Sequence, residues 1–425
     1  MTKQQFQTLR GMYDILPERA AQIDYLTGQF RAVAEAAGYG RIDTPLLEDT
    51  ALFERGVGTD TDAVSKEMYS FKDRSEHDVS LRPEPTAGIV RAYVENGMAS
   101  WPQPVKLYFY GPLFRYDRPQ AGRQRQFNQF DVEVLGDASP SVDAQVIMLA
   151  QRFFKRVRLS NLTLQLNSIG DKECRPKYRK ALVEYLEANI KKLAEVDRER
   201  VKTNPLRVLD SKEAATQAVL ADVPQTLNYL CEACQKHFAG VLEYLDDLGV
   251  AYELNPLLVR GLDYYTRTVF EFFGEREGAQ SAVGGGGRYD LLVEQLGGQP
   301  TPAVGFGLGL ERILIELEAA GALPQPAAAK RVYVASLGEP ARLAAFRLIE
   351  QLLDGDVAAV GAVDRDGIGS QLARADKLGV PYAIIIGQKE VREETVILRD
   401  MASGAQEVLP AESIVAELRS RFGLA

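Results

Sequence analysis

Cysteine is scarce. Cys174, Cys231 and Cys234 are the only three in 425 residues, too few for a disulfide framework in a chain of this length, and they fit a reducing compartment. Long apolar runs are missing as well. The start, MTKQQFQTLRGMYDILPE, holds no apolar segment that could serve as a signal peptide, and no later stretch reaches membrane-spanning length, which predicts a cytoplasmic protein with no membrane partner. No Gly-Lys pair occurs, which excludes a P-loop. Positive charge is not in surplus: 50 Lys and Arg against 59 Asp and Glu give a net charge of −9, so a polyanionic partner must be met by local basic patches.

What is present is an ordinary globular composition, with 46% hydrophobic and 26% charged residues, which excludes both wholesale disorder and a fibrous chain. The length exceeds what one core usually supports and predicts two or three domains. From Ala20 to Ala37 apolar residues recur at helical spacing (Ile23, Leu26, Phe30, Val33, Ala37) and stop at Gly38, the signature of a helix C-terminus. Tyr39 to Leu47 reads as a short extended segment. Between Val105 and Leu135 two β-rich runs, VKLYFYGPLFRY and QFNQFDVEVLG, flank the polar loop DRPQAGRQR, which predicts an antiparallel hairpin carrying a long functional loop.

Residues 139 to 255 are mostly helical in pattern and read as an insertion, centred on about 170–250. Strand-like, glycine-rich sequence returns from Leu258 to Tyr289, and GLERILIELEAA predicts a helix from Gly309. The Ala- and Pro-rich segment 321–330 is the clearest linker, separating a domain over 1–320 from one over 331–425. In the latter, strands at RVYVASL, VAAVGAV, YAIIIG and TVILRDM alternate with helices near 340–353 and 369–378, which predicts a small α/β unit with a largely parallel sheet.

Three segments carry chemistry. FRYDRPQAGRQRQFNQFDVEVLG (114–136) sets Arg115, Arg118, Arg123 and Arg125 on the hairpin ahead of Gln129, Asp131 and Glu133, which share one strand face. Guanidinium groups suit a polyphosphate because they contact phosphate oxygens bidentately and stay charged. The plain alternative is a solvated, salt-bridged loop. In PAVGFGLGLERILIEL (302–317) a glycine-dense strand runs into a helix whose first turn carries Glu311 and Arg312; the glycines let a ligand or another backbone approach closely, or let the strand pack tightly on the helix. LVRGLDYYTRTVFEFF (258–273) places Arg260 and the tyrosines Tyr264 and Tyr265 in an apolar run, where an unpaired charge is costly, so function explains the arginine better than packing does. The four glycines of SAVGGGGRYD (281–290) weaken a strand unless something lies against that backbone.

These segments resemble the histidyl-tRNA synthetases, a family of class II aminoacyl-tRNA synthetases. Arg115 to Glu133 looks like motif 2 of that class and Pro302 to Leu317 like motif 3. LVRGLDYYTRTVFEF and AVGGGGRYD resemble the two blocks restricted to the histidine family, LRPEPTAGIVRA (81–92) its LRPEGT block, RGMYDILPE (10–18) its N-terminal signature, and DKLGVPYAIIIGQKE its anticodon-binding domain. The class I pattern HxGH needs two histidines three residues apart, and the chain has only His77 and His237.

The resemblance implies an α+β catalytic domain with an antiparallel six-stranded sheet flanked by helices, a helical insertion, a C-terminal α/β anticodon-binding domain, and a homodimer. It implies activation of L-histidine by ATP with Mg²⁺ and transfer to tRNA(His). It assigns Arg115 to the ATP α-phosphate and the histidine carboxylate, Arg312 to the γ-phosphate, and Arg123 to the loop over the nucleotide. Arg260 takes the role of the family's catalytic arginine, beside Arg115. Glu84, Pro85, Thr86, Gln129, Glu133, Tyr264 and Tyr265 line the histidine pocket. Three positions depart from the family pattern: Pro85 stands for a usual Gly, Asp117 for Glu, and Asn128 for a frequent His. Pro85 bears directly on the pocket, since proline removes a backbone N–H and fixes φ.

Two further readings accompany this one. CEACQKH (231–237) has a spacing compatible with zinc through Cys231, Cys234 and His237, with Cys174 as a fourth ligand, but one knuckle alone favours buried thiols on a helix and no metal. A non-catalytic paralog of the family binds histidine and regulates ATP phosphoribosyltransferase; it usually lacks the C-terminal domain and motif arginines, whereas Arg115, Arg260 and Arg312 are all in place. The segment 331–425 carries 11 Lys and Arg against 14 Asp and Glu, a net of 11 − 14 = −3, so its link to the anticodon rests on resemblance and not on charge.

Overall fold

Alternation along Gln126–Leu135 sends Phe130, Val132 and Val134 to one face of a sheet and Gln129, Asp131 and Glu133 to the other. In the computed structural model, which describes residues 6–58, 61–274, 282–324, 330–361 and 367–424, this strand pairs antiparallel with Val105–Phe114, in register from Val105–Leu135 to Phe114–Gln126. Ala303–Gly309, Ala282–Arg288, Thr266–Gly274 and Leu162–Ser168 continue the sheet in that order, every pair antiparallel. These are the six strands expected. Two short strands, Gly40–Arg41 and Glu253–Leu254, add parallel pairs at the edges and bring the total to eight.

Helix Pro17–Ala36 starts on a proline, which loses nothing in the first turn, and ends before Gly38 at φ +82°. It lays Ile23, Leu26, Phe30 and Ala34 on the apolar face of the sheet, with Phe30 stacked on Phe130 at 4.7 Å. Helices Pro140–Arg156 and Leu310–Ala319 join it there through Phe153, Ile313 and Leu317. Four glycines pass through the middle of the sheet because neighbouring backbones leave no room for side chains: a Cβ on Gly286 would lie 1.9 Å from the carbonyl oxygen of Gly305. Ser281 of that block lies outside the described residues.

Two expectations about residues 1–324 need correction. Tyr39 to Leu47 is not one extended segment, because pairing is confined to Gly40–Arg41 and, in a separate three-stranded sheet, to Leu47–Asp49. The stretch 139–255, read as mostly helical, contains the central-sheet strand Leu162–Ser168, whose alternation LTLQLNS is short and flanked by long helical patterns. The helices Arg175–Ala188, Glu195–Thr203 and Ala214–Leu220 form their own small core of Tyr178, Leu182, Val201 and Leu220. Helix Glu232–Asp247 returns to the main core through Val241 and Leu245. There His237 bonds Asp143 at 2.8 Å, and Asp143 also binds Arg288, whose side chain is fully buried.

The chain divides into two compact units, residues 1–324 and 325–425. Of the expected linker, residues 325–329 lie outside the described residues. In the second unit Ala358–Gly361, Arg331–Ser336 and Tyr382–Ile386 are parallel, but Thr395–Asp400 and Gln406–Pro410 add antiparallel pairs. The sheet is therefore mixed rather than largely parallel, because strands 395–400 and 406–410 form a hairpin on its edge with no crossover helix between them. Helices Glu339–Asp354, Ile368–Lys377 and Ile414–Phe422 cover it. Among the described residues no helix is long and apolar enough to cross a membrane.

Candidate active site

The polar face of the first unit's sheet opens into a cavity of about 880 Å³. All the residues singled out for ATP or histidine line it: Glu84, Pro85, Thr86, Arg115, Arg123, Gln129, Glu133, Arg260, Tyr264, Tyr265 and Arg312. They come from segments up to 228 positions apart (84 to 312), so only the sheet brings them together.

One end is cationic. Arg115, just past the end of Val105–Phe114, donates from Nε to the carbonyl of Pro83 at 2.8 Å and lies over the ring of Phe127, which leaves its other donors for the cavity. Arg312, in the first turn of Leu310–Ala319, is held by the carbonyls of Gly122 and Ala282. Burial pushes its pKa below the ordinary arginine value and repulsion from Arg123 adds to this, with Arg115 and Arg260 contributing against the pull of Glu271. Arg260 bonds Glu271 at 2.8 Å, and its buried Nε has no hydrogen-bond partner among the described residues. Burial works against its charge, but Glu271 and the tyrosines Tyr265 and Tyr264 outweigh it and hold the pKa high. Arg123 pairs with Asp117 at 3.0 Å on the loop. Guanidinium groups that destabilise one another in a shared cavity create a site whose natural occupant is a polyanion.

The other end is acidic and aromatic. Glu84 accepts from the backbone N–H groups of Thr86 and Ala87 at 2.9 and 2.8 Å, tying down the start of helix Thr86–Glu95. The Thr86 hydroxyl donates to Glu133 Oε1 at 2.7 Å, and the Tyr289 hydroxyl donates to Oε2. Burial raises the Glu133 pKa to about 8, although its two hydroxyl partners oppose the shift. Glu84 and, more strongly, Asp131 are raised by burial as well. Tyr264 contacts Glu84 at 3.4 Å and packs against Tyr265 and Tyr289. A cluster of buried carboxyl groups that shed their charge when alone suits a cationic or hydrogen-bond-rich ligand.

Pro85 occupies the N-cap of its helix in the right-handed helical region, where a backbone N–H has no intrahelical partner in any case. Its ring therefore removes no hydrogen bond from the pocket wall. The other departures are also paired: Asp117 with Arg123, and Asn128 through its backbone and side chain with Glu311. Sequence reasoning passed over Glu271 and Tyr289. An acid inside the apolar run VFEFF and a tyrosine closing the glycine block were the available signals. His237 does not join the cysteines, because its ring bonds Asp143; the fourth group beside Cys174, Cys231 and Cys234 is Asp171.

The family model described as histidyl-tRNA synthetase matches residues 11–313, and that of an anticodon binding domain matches residues 331–421. The histidine–tRNA ligase of Pelotomaculum thermopropionicum is 46% identical over 417 residues, covering 97% of both chains. That of Nocardia farcinica is 44% identical over 424 residues and the full length of both. Among solved structures, the apo histidyl-tRNA synthetase of S. aureus matches with a TM-score of 0.82 at 33% identity, over 98% of this chain and 100% of that one. Two matched domains in the same order, and relatives alike from end to end, leave one assignment: the chain belongs to the histidyl-tRNA synthetase family.

Proposed function

We propose that the protein activates L-histidine with ATP, releasing pyrophosphate to give histidyl-adenylate, and then transfers the histidyl group to the 3′ end of tRNA(His). The observation that carries this reading is one cavity with four arginines at one end and buried Glu84, Glu133 and Tyr264 at the other.

In activation a carboxylate oxygen of histidine attacks the α-phosphorus and the bond to pyrophosphate breaks, so negative charge must be held in line and no protein base is required. Arg115 binds both the α-phosphate and the histidine carboxylate, which brings nucleophile and electrophile together. Arg260, kept rigid by Glu271, stabilises the charge developing on the α-phosphate. Arg312 takes the γ-phosphate and Arg123 closes over the nucleotide. Glu133 and Glu84 receive the ammonium and imidazole N–H groups, with Thr86, Gln129, Tyr264 and Tyr265 fixing orientation and the backbone at Pro85 forming the wall.

Mg²⁺ supplies neutralisation of phosphate charge, and one or two carboxylates beside phosphate oxygens suffice to hold it. Glu271 would hold it, since Arg260 reaches only its Oε1, whereas both oxygens of Glu311 accept from Asn128 and one also from Tyr13. Unit 331–425 binds the anticodon, residues 170–250 form an insertion within a catalytic domain of residues 1–320, and 321–330 links the two domains. The protein works in the cytoplasm as a homodimer, a reading supported by the family and by exposed Leu46, Leu47 and Phe71 on or beside the three-stranded sheet; light scattering tests it. The deciding experiment for function is ATP–pyrophosphate exchange with a panel of amino acids: stimulation by histidine alone is expected, and no stimulation by any amino acid would sink the reading.

A further inference from the structure

Asp171 and Cys174 stand at the entry of the helical insertion, just after strand Leu162–Ser168 and immediately before helix Arg175–Ala188. Cys231 and Cys234 stand at its exit, the first as N-cap of helix Glu232–Asp247 and the second in its first turn. Each pair is separated by two residues and each sits at a helix start, so two knuckles face one another across 60 residues of chain. One ligand atom from each of the four lies within 4.8 Å of all the others.

Two of the spacings match a tetrahedral ion, and all lie within 4.8 Å. Zinc–sulfur bonds of about 2.3 Å and zinc–oxygen bonds of about 2.0–2.2 Å put tetrahedral S···S edges near 3.8 Å and S···O edges near 3.5 Å. Cys174 Sγ lies 3.8 Å from Cys234 Sγ and 3.5 Å from Asp171 Oδ1, and Cys231 Sγ lies 3.9 Å from that same oxygen. The Asp171 N–H donates to Cys174 Sγ at 3.3 Å, a bond that favours a thiolate. Gly170, at φ +68°, makes the turn possible, because a Cβ there would lie 2.5 Å from Cys174 Sγ. Arg267 Nη2 stands 3.6 Å from Asp171, a positive charge outside the cluster.

We propose that Asp171, Cys174, Cys231 and Cys234 bind one zinc ion that fastens the two roots of the insertion to each other and to the edge of the sheet. Binding releases protons from the three thiols, and Zn²⁺ with three thiolates and one carboxylate carries a net −2, which Arg267 and the two helix N-termini offset. The fastening reaches the cavity wall: the Arg267 N–H donates to the Gly170 carbonyl at 2.7 Å, and the Arg175 guanidinium donates to the carbonyl of Tyr265. The softness of three sulfurs selects zinc over magnesium or calcium.

The test uses the full-length protein purified without chelator and dialysed against metal-free buffer, with zinc measured by elemental mass spectrometry. One zinc per chain is expected. Asp171→Asn and Cys234→Ser should weaken zinc binding by about 100-fold or more, the upper range for losing even an outer partner of a ligand, whereas His237→Gln should keep one zinc per chain. Where a cysteine variant fails to fold, cobalt(II) added to chelator-treated native protein decides: a thiolate charge-transfer band with intense tetrahedral visible absorption is expected. Zinc lost on dialysis, a cobalt spectrum of the hydrated ion, or a Cys174–Cys234 disulfide found by peptide mapping would each overturn the proposal.

Discussion

Gly305 leaves vacant the space that the carboxylate of Glu133 occupies on the adjacent strand: a Cβ at Gly305 would lie 1.8 Å from Glu133 Oε2 and 2.3 Å from the carbonyl oxygen of Val132. The first contact can be relieved by rotating Glu133, but the second involves backbone and cannot. Gly305→Ala is therefore expected to cost about 1–3 kcal/mol of stability, as overpacking does, and to abolish histidine-dependent exchange even where the protein folds. Denaturant melts paired with exchange assays check this.

Glu133 also sets a pH dependence. Its pKa rises from an ordinary 4.5 to about 8 in the fold, so the contribution it makes to stability is full below about 4.5 and is lost as pH rises through about 8. Glu84 and Asp131 shift the same way. Glu133→Gln should flatten part of this decline in the ligand-free protein. Histidine binding at pH 7 should release a proton from the native protein and none from the variant, as read by calorimetry in buffers of different ionisation enthalpy.

Arg260→Ala should lower the rate of adenylate formation by about 10²–10³-fold, the usual loss when one donor to developing charge is removed. Its circular dichroism should be that of the native protein, since the partners lost, Glu271 and the Tyr265 ring, line the cavity. Unchanged single-turnover rates would remove Arg260 from the reaction.

Pro85→Gly tests the proline at the pocket wall. Because the residue is an N-cap and not a hydrogen-bond donor, the substitution should cost about 1 kcal/mol of stability or less through the unfolded chain. The KM for histidine should stay within about threefold, well under the 1.4 kcal/mol that a decade represents.

Removing residues 325–425 should separate the two half-reactions. The first unit keeps its own cores, so pyrophosphate exchange should persist while tRNA charging falls at least tenfold, about 1.4 kcal/mol of RNA binding. Equal loss of both activities would argue against this division.

The hairpin Val105–Leu135, the helix read over 20–37 and found at Pro17–Ala36, and the faces of Gln126–Leu135 were legible in the sequence because period-two and period-3.6 patterns dominate there. So was the membership of the cavity, since the motif residues keep their spacing. The partners within it were not: the bond from Arg260 to Glu271 and those from Thr86 and Tyr289 to Glu133 depend on which strands become neighbours. Strand Leu162–Ser168 was hidden for a similar reason, its seven residues lying between helices that set the local pattern. Asp171 escaped notice because a carboxylate 60 residues before Cys231 carries no spacing signal until the insertion folds back on itself.

The buried trio of His237, Asp143 and Arg288 gives that insertion a mechanical character. Asp143 receives one side chain from the returning helix and another from the glycine strand, and its carboxyl is held below the ordinary range because the bond from His237 and the Arg288 charge outweigh the cost of burial. A clamp of this kind makes helix Glu232–Asp247 part of the first unit's core, so the insertion is anchored at its exit by one buried carboxylate.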